Sequence, residues 1–342
     1  MNKLSLALAC TGFSLLSLGG CKQISEAKKA AEALKAAASA VADTKGGPAI
    51  SSEEDKDAQL GSKLGEYISC MNHTSKRVVD SRNRYLSWVK DEKVGPTGKE
   101  RNIYGLYEIS PQTCFRSLEK AKGMQPALPE LESAAAEYKK ALEELEPILK
   151  TANKYYDQDD YKDDKMAKGK ELHPQLMNGF AKFEQVSKAF EDKVTALNDD
   201  VNSRQLSRLE KDPTRKLQYL SQRSLHEAKA LIQLTDIGEL KELDQQKLDV
   251  ALQAFDKTLT ELDEYATAHK AEVDKTMMFS SFQSSAKTFL KSAKDLLRRK
   301  RDNKDFNKEF FSGSNPSMVD GHPAQVVEKY NRMINDSNNL RY

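Results

Sequence analysis

The densest group of side chains able to hold a metal ion is Asp157, Asp159, Asp160, Asp163 and Asp164. A calcium loop between two helices needs alternating oxygen ligands, a glycine at the sharp turn and a distant glutamate. Counted from Asp157, Tyr161 and Lys162 stand where a ligand and the glycine belong, so that loop is excluded. Two readings remain: a looser divalent-cation site, or a polar link in which Asp163 or Asp164 favours the N-terminus of the next helix through its dipole. Tyr155, Tyr156 and Tyr161 flank the cluster; such rings either stack on cell-wall sugars or pack at a helix end.

Five histidines, His73, His173, His226, His269 and His322, are scattered, and none has a second ligand four residues on. Glu171 and His173 point to different sides of a helix, and His226-Glu227 lacks a downstream histidine, so no zinc-peptidase pair exists. No Gly-x-Ser-x-Gly elbow, phosphate-binding loop or dinucleotide fingerprint is present. Paired carboxylates for glycoside chemistry can always be drawn from abundant Asp and Glu, but the same groups solvate helix faces. No catalytic, cofactor-binding or metal-binding residue is assigned, and the chain is not expected to be an enzyme.

The most specific chemistry lies at the start of the chain. Met1-Asn2-Lys3 is a short basic opening, Leu4 to Leu18 is mostly apolar, and Leu18-Gly19-Gly20-Cys21 follows. This is the layout of a secretory signal. The apolar run is short of the roughly 20 residues a spanning helix needs, and its glycines suit a peptidase that requires small side chains beside the scissile bond. The last four residues resemble a lipobox. That resemblance implies cleavage before Cys21, a thioether-linked diacylglycerol on Cys21 and acylation of its new amino group. Two or three acyl chains hold a protein far more tightly than one. Lys22, rather than Asp, follows; by the sorting rule for such lipoproteins this implies the outer membrane.

Export sets the redox setting of the other cysteines. Cys10 leaves with the leader and Cys21 carries lipid, so Cys70 and Cys114 remain in an oxidising compartment. A disulfide between them is predicted. Neither has a Cys-x-x-Cys partner, which argues against metal binding.

The bulk composition fits this picture. Apolar residues make up 38% and charged residues 31%, a mix that builds a core. The formal net charge is only +2, with 54 basic and 52 acidic side chains interspersed, and nucleic acid is not an expected partner. With only 16 glycines and 10 prolines, helix is favoured over strand.

The elements that must position these groups read as helices. Residues 21–58 look like a lipidated tether. Ser25 can cap a helix from Glu26 to Asp43 whose Ala27, Ala30, Ala31, Leu34, Ala37, Ala38 and Val41 form a narrow alanine face, and Gly46-Gly47-Pro48 ends it. A helix from about Leu60 to Asp91 turns Leu64, Tyr67, Ile68, Met71, Val78, Tyr85 and Trp88 to a core. Pro111 opens a short helix carrying Cys114, Phe115 and Leu118. Leu128, Leu131, Ala135, Tyr138, Leu142, Leu145 and Leu149 form a strict seam of three- and four-residue steps, in which Pro147 should kink the helix or end it early. Further helices run through Leu172–Val201, Thr214–Thr235, Leu240–Leu262 and Met278–Leu296, and a last one starts at Pro323. No convincing strand appears. The expected fold is all-α: an elongated antiparallel multi-helix bundle over residues 59–342, behind the tether and a signal peptide at 1–20. Near its end, Lys291, Lys294, Arg298, Arg299, Lys300, Arg301 and Lys304 outnumber Asp295 and Asp302. They either complement a helix C-terminus or touch lipid phosphates.

Two stretches carry a resemblance. One is Lys63-Leu64-x-Glu66-Tyr67-Ile68-x-Cys70-x-Asn72, followed by Tyr85 and Trp88. The other is Tyr155-Tyr156-Asp157-x-Asp159-Asp160-Tyr161-Lys162-Asp163-Asp164, followed by Gly169-Lys170-Glu171-Leu172-His173. With the lipobox and a closing Val326-Val327-x-x-Tyr330-Asn331, the chain resembles the YiiG-like lipoproteins, a bacterial family of unknown function, over about residues 60–340. The resemblance implies a helical envelope lipoprotein and carries over no catalytic residue.

The expectation is therefore a non-catalytic helical domain in the bacterial cell envelope, anchored through its N-terminal lipid, facing the periplasm and binding an envelope protein or a cell-wall component. The alternative is a carrier of a small ligand in a groove between helices.

Overall fold

A computed structural model of the protein describes residues 52–235, 237, 239–305 and 316–342. Cys21 and the alanine-faced helix expected at 26–43 lie outside the described residues. The described residues form nine α-helices and no strand: α1 (Ser52–Leu86), α2 (Gln112–Lys122), α3 (Pro129–Asp157), α4 (Ala167–Glu210), α5 (Lys216–Gln233), α6 (Gln245–Ala268), α7 (Lys270–Val273), α8 (Phe279–Arg301) and α9 (Pro323–Ser337). The fold is all-α. An isolated bridge between Met277 and Arg341 is the sole sheet-like pairing among the described residues.

Local chemistry explains most boundaries. Helix α1 starts before the expected Leu60 because Glu53, Glu54 and Asp55 fill its first turn, where carboxylates complement the helix dipole. Asp244 caps α6 by accepting a bond from the Lys247 amide at 3.1 Å. This splits the expected Leu240–Leu262 helix into a 3₁₀ turn at Leu240–Glu242 and α6 proper. Pro323 occupies the first turn of α9, where its missing N–H costs nothing.

Pro147 does not end its helix. Helix α3 runs through it to Asp157. Leu145 and Leu149, on the turns either side, are buried to 1% and 0% exposure. Burial of the leucine seam against α4 outweighs the roughly 3 kcal/mol that an interior proline costs a helix through the lost hydrogen bond and the clash of its ring with the preceding turn.

Buried side chains divide into two cores along the chain. The first runs from Leu64 to Val201 and joins α1, α2, α3, most of α4 and the intervening segment that carries Trp88, Val89, Leu106 and Ile109. The second runs from Leu209 to Leu340 and joins the end of α4 to α5, α6, α8 and α9. Helix α4 therefore serves both. Its 44 residues span about 66 Å at 1.5 Å per residue. Within the first core a disulfide joins Cys70 of α1 to Cys114 of α2, both fully buried, and ties the short helix to the long one.

Candidate functional site

Two polar constellations are built into the described structure. The first lies where the N-terminal turns of α4 meet the end of α1. His173, 6% exposed, faces Tyr85, which is fully buried. Its Nε2 lies 3.0 Å from the Glu92 carbonyl and its Nδ1 lies 2.9 Å from the Tyr85 hydroxyl. A carbonyl can only accept, so Nε2–H donates to it, and Nδ1 accepts from the tyrosine. Both ring nitrogens are engaged, which leaves none for a metal. Burial pushes the Tyr85 and Tyr156 hydroxyls well above the ordinary phenol range. Trp88 packs edge-on against Tyr85 and Tyr156 at centroid distances of 5.1 and 5.0 Å. The arrangement clamps the segment after α1 onto the first core.

Gly95 shows how tight this clamp is. Its φ is +82°, and a Cβ there would lie 2.6 Å from the His173 ring. Gly95→Ala is expected to destabilise the protein by roughly 2 kcal/mol or more, combining left-handed backbone strain with a clash. Gly98, with φ +83° but no neighbour nearer than 3.4 Å, supplies the control: its alanine variant should lose about 1 kcal/mol from the backbone alone. Urea titrations followed by Trp88 fluorescence measure both, and equal losses would show that His173 does not clamp Gly95.

The second constellation is a cleft of about 490 Å³ where α1 begins. Its lining comprises Glu53, Lys56, Asp57, Gln59 and Leu60 of α1, Gln125 and Pro126 of the α2–α3 link, and Arg204 and Arg208 of α4. Asp57 is 9% exposed. It accepts from Arg204 Nη2 at 2.7 Å and Nε at 3.1 Å, and pairs with Arg208 Nη2 at 2.6 Å. The hydrogen bond from Arg204, foremost, holds the Asp57 carboxyl below its ordinary value against the opposing effect of burial. Arg204 also pairs with Asp200, and Arg215 reaches Glu54 at 2.9 Å. Just inside α1, the fully buried Lys63 donates to the carbonyls of Met124 and Pro126 at 3.1 and 2.8 Å and to Glu132 at 2.5 Å. An ammonium has three N–H bonds, and all are used.

The residues singled out in the sequence fare differently. Among the described residues no group of three or more His, Cys, Asp or Glu is placed to hold a metal. Asp159 pairs with Lys162. Asp164 accepts from the Lys168 and Ala167 amides and from the Tyr155 hydroxyl, so it caps α4; the Lys168 amide, first of these, holds its carboxyl below the usual value. Tyr155 and Tyr156 are each 2% exposed. They pack against each other with centroids 4.9 Å apart, and no sugar can reach their faces. His322 caps α9 by accepting from the Ala324 amide at 3.0 Å. The basic run at the end of α8 and just after it is paired within the chain: Lys300 donates to the Leu240 and Lys241 carbonyls, Arg299 to the Asp320 carbonyl, Lys294 pairs with Asp256, and Asp295 and Asp302 take the exposed Lys291, Arg298, Arg301 and Lys304. Contact with lipid phosphates gains no support from that geometry.

Sequence reasoning missed Lys63, Asp57, Arg204 and Arg208. A signal existed for Lys63, which falls three residues after Leu60 and four before Tyr67, inside the apolar stripe of α1. Asp57 had none, since Arg204 stands 147 residues away.

Comparison with known proteins decides the family. Residues 58–339 match the family model described as protein of unknown function DUF3829. The chain belongs to the DUF3829 family. It is also similar to the uncharacterized protein YiiG of Escherichia coli K12, with 33% identity over 320 residues that cover 92% of this chain and 87% of YiiG. This agrees with the YiiG-like resemblance read from the motifs. A crystal structure of an uncharacterized DUF3829-like protein from Bacteroides thetaiotaomicron aligns with a TM-score of 0.40 and 14% identity, covering 82% of this chain and 97% of that one. The match to the DUF3829 model starts at residue 58 and so takes in Lys63, both bridged cysteines and His173, while Asp57 falls one residue outside it.

Proposed function

We propose that the protein is a lipid-anchored bacterial envelope protein, tethered through Cys21, whose helical body works without catalysis by holding an envelope protein or a cell-wall component in the periplasm. The observation that carries the proposal is the leader that stops at Leu18-Gly19-Gly20-Cys21. The Cys70–Cys114 disulfide agrees with an oxidising compartment, and Lys22 at the position after the lipidated cysteine agrees with the outer membrane.

Metabolic labelling with palmitate tests the anchor. Wild type should take up label, and Cys21→Ser should take up none and retain its leader. Label persisting on the variant refutes the anchor. Crosslinking in the intact envelope, followed by identification of the captured species, tests the binding role.

One observation favours a second reading, the small-ligand carrier. The cleft beside α1 has a volume within the range of about 300–1,000 Å³ typical of ligand sites. Its lining sets Leu60, Pro126 and the aliphatic stems of Lys56 and the two arginines beside charged head groups, so the ligand would carry both an apolar body and a polar group. Binding of an amphipathic periplasmic small molecule that is abolished by filling the cleft, for example with Gln59→Trp, would support the carrier.

A further inference from the structure

The first turns of α1 are attached differently from the rest of the helix. From Glu53 to Ser62 the single buried residue is Asp57; Leu60 is half-buried and Ala58 exposed. Continuous apolar burial starts only at Leu64, which is 0% exposed. What holds residues 53–59 is charge: Asp57 to Arg204 and Arg208, and Glu54 to Arg215; Leu60, half-buried, adds the one apolar contact of this stretch with the first core. Beneath them lies the cleft, where a packed helix would have close-fitting side chains.

The partners occupy a particular place. Arg204 and Arg208 stand on α4 between Val201, in the first core, and Leu209, in the second. Arg215 belongs to the 3₁₀ turn Pro213–Arg215 that leads into α5. The charged end of α1 is thus fastened to the stretch of chain that joins the two cores.

We propose that residues 53–60 form an electrostatic strap that lifts reversibly from this junction while both apolar cores stay folded. Local openings follow the least buried segments, and partly exposed ion pairs are weakened by salt in a way that apolar burial is not. The strap continues directly into the chain that leads back to Cys21. Opening would lengthen that connection: eight helical residues span about 12 Å, and the same eight extended reach about 27 Å. It would also widen the cleft, release Arg208 from Asp57 and leave Arg204 with Asp200 alone.

Acid is a poor lever. Asp57 is faced by Arg204 and Arg208 from α4, with Glu53 and Lys56 beside it on α1, Asp200 sharing Arg204, and the uncharged Gln125 and Pro126 opposite. A carboxylate held low contributes stability above its unfolded pKa and loses it only as pH falls through the lower folded value. The strap therefore stays shut through mildly acidic conditions, and salt or substitution must open it.

Hydrogen exchange on the purified full chain in detergent tests this. The informative amides are those of residues 56–60, because the first amides of a helix lack intrahelical partners. Raising salt from about 20 mM to about 0.5 M shrinks the Debye length from roughly 20 to 4 Å. Exchange at 56–60 should then accelerate about tenfold or more, with residues 64–85 unchanged. Asp57→Asn should produce the same acceleration at low salt, and adding Arg204→Gln should add little. The proposal is overturned if residues 56–60 exchange as slowly as 64–85 and ignore salt, or if salt speeds exchange equally across both cores. Should Asp57→Asn fail to fold, the salt series on wild type decides alone.

Discussion

Removing the Cys70–Cys114 bridge with a double alanine substitution is expected to cost the first core about 4 kcal/mol of stability, from the chain-entropy value for a loop closed across 44 residues. Domains are stable by about 5–15 kcal/mol, so the loss is a large fraction of the whole. The effect should be confined to one core. Both sulfurs are fully buried among residues of the first core, and no residue of the second core lies in that cluster. Trp88 is the lone tryptophan of the chain and sits in the first core at 5% exposure, so its fluorescence reports that core alone. With two cores, unfolding need not be two-state, and the measurement should follow the Trp88 transition beside circular dichroism of all helices. The expected result is a Trp88 midpoint that falls sharply in the variant and in reduced wild type, while a later fraction of the helix signal holds its midpoint. A Trp88 transition indifferent to reduction would show that the bridge does not stabilise the first core.

The second large effect concerns Lys63. Lys63→Met keeps the aliphatic stem but removes the charge, and should destabilise the first core by about 2 kcal/mol or more, the cost of taking the donor from partly buried acceptors; Glu132, with 28% of its side chain exposed, can turn to water. Three acceptors lose their donor at once: the carbonyls of Met124 and Pro126 and the Glu132 carboxylate. Glu132 keeps only the Leu128 amide at 3.1 Å. Lys63→Arg should also fail, because a planar fork cannot replace a compact ammonium at a site with no exposed surface. Lys76→Met is the control. Lys76 pairs with Asp80 on the outer face of α1 with 71% of its side chain exposed, and its loss should stay within about 0.5 kcal/mol. If the Lys63 and Lys76 variants were equally stable, the carbonyls around Lys63 would have to be satisfied in another way, and the clamp on the 123–128 link would be unnecessary.

Cys70 and Cys114 were paired by elimination, on the expectation that Cys10 is lost with a leader and Cys21 carries lipid. Asp163 or Asp164 was expected to favour the N-terminus of the helix after the acidic cluster through its dipole, and it is Asp164 that does so, by accepting from amides of that same helix, three and four residues on. Such interactions are local, and local interactions leave a local spacing. Pro147 shows the limit. A proline ends an isolated helix, but here Leu145 and Leu149 are buried on both sides, and contacts with a helix distant in sequence overrule the local preference. The tyrosines near the acidic cluster show the same limit in another form. Their composition suited a stacking surface, and only packing against Trp88 and each other turned Tyr155 and Tyr156 inward.

What the amino-acid sequence determined by itself was the all-helical class, most helix positions, the links between them and the pairing of two cysteines, because apolar periodicity, capping and breaker residues act within a turn or two. What tertiary structure alone decided was the split of the burial into two cores along α4, the burial of Lys63 and His173, and the fastening of α1 to Arg204 and Arg208. Those depend on groups 61 to 147 residues apart. No pattern along the chain records such a meeting, because it is set by which helix faces find each other when apolar surface leaves water.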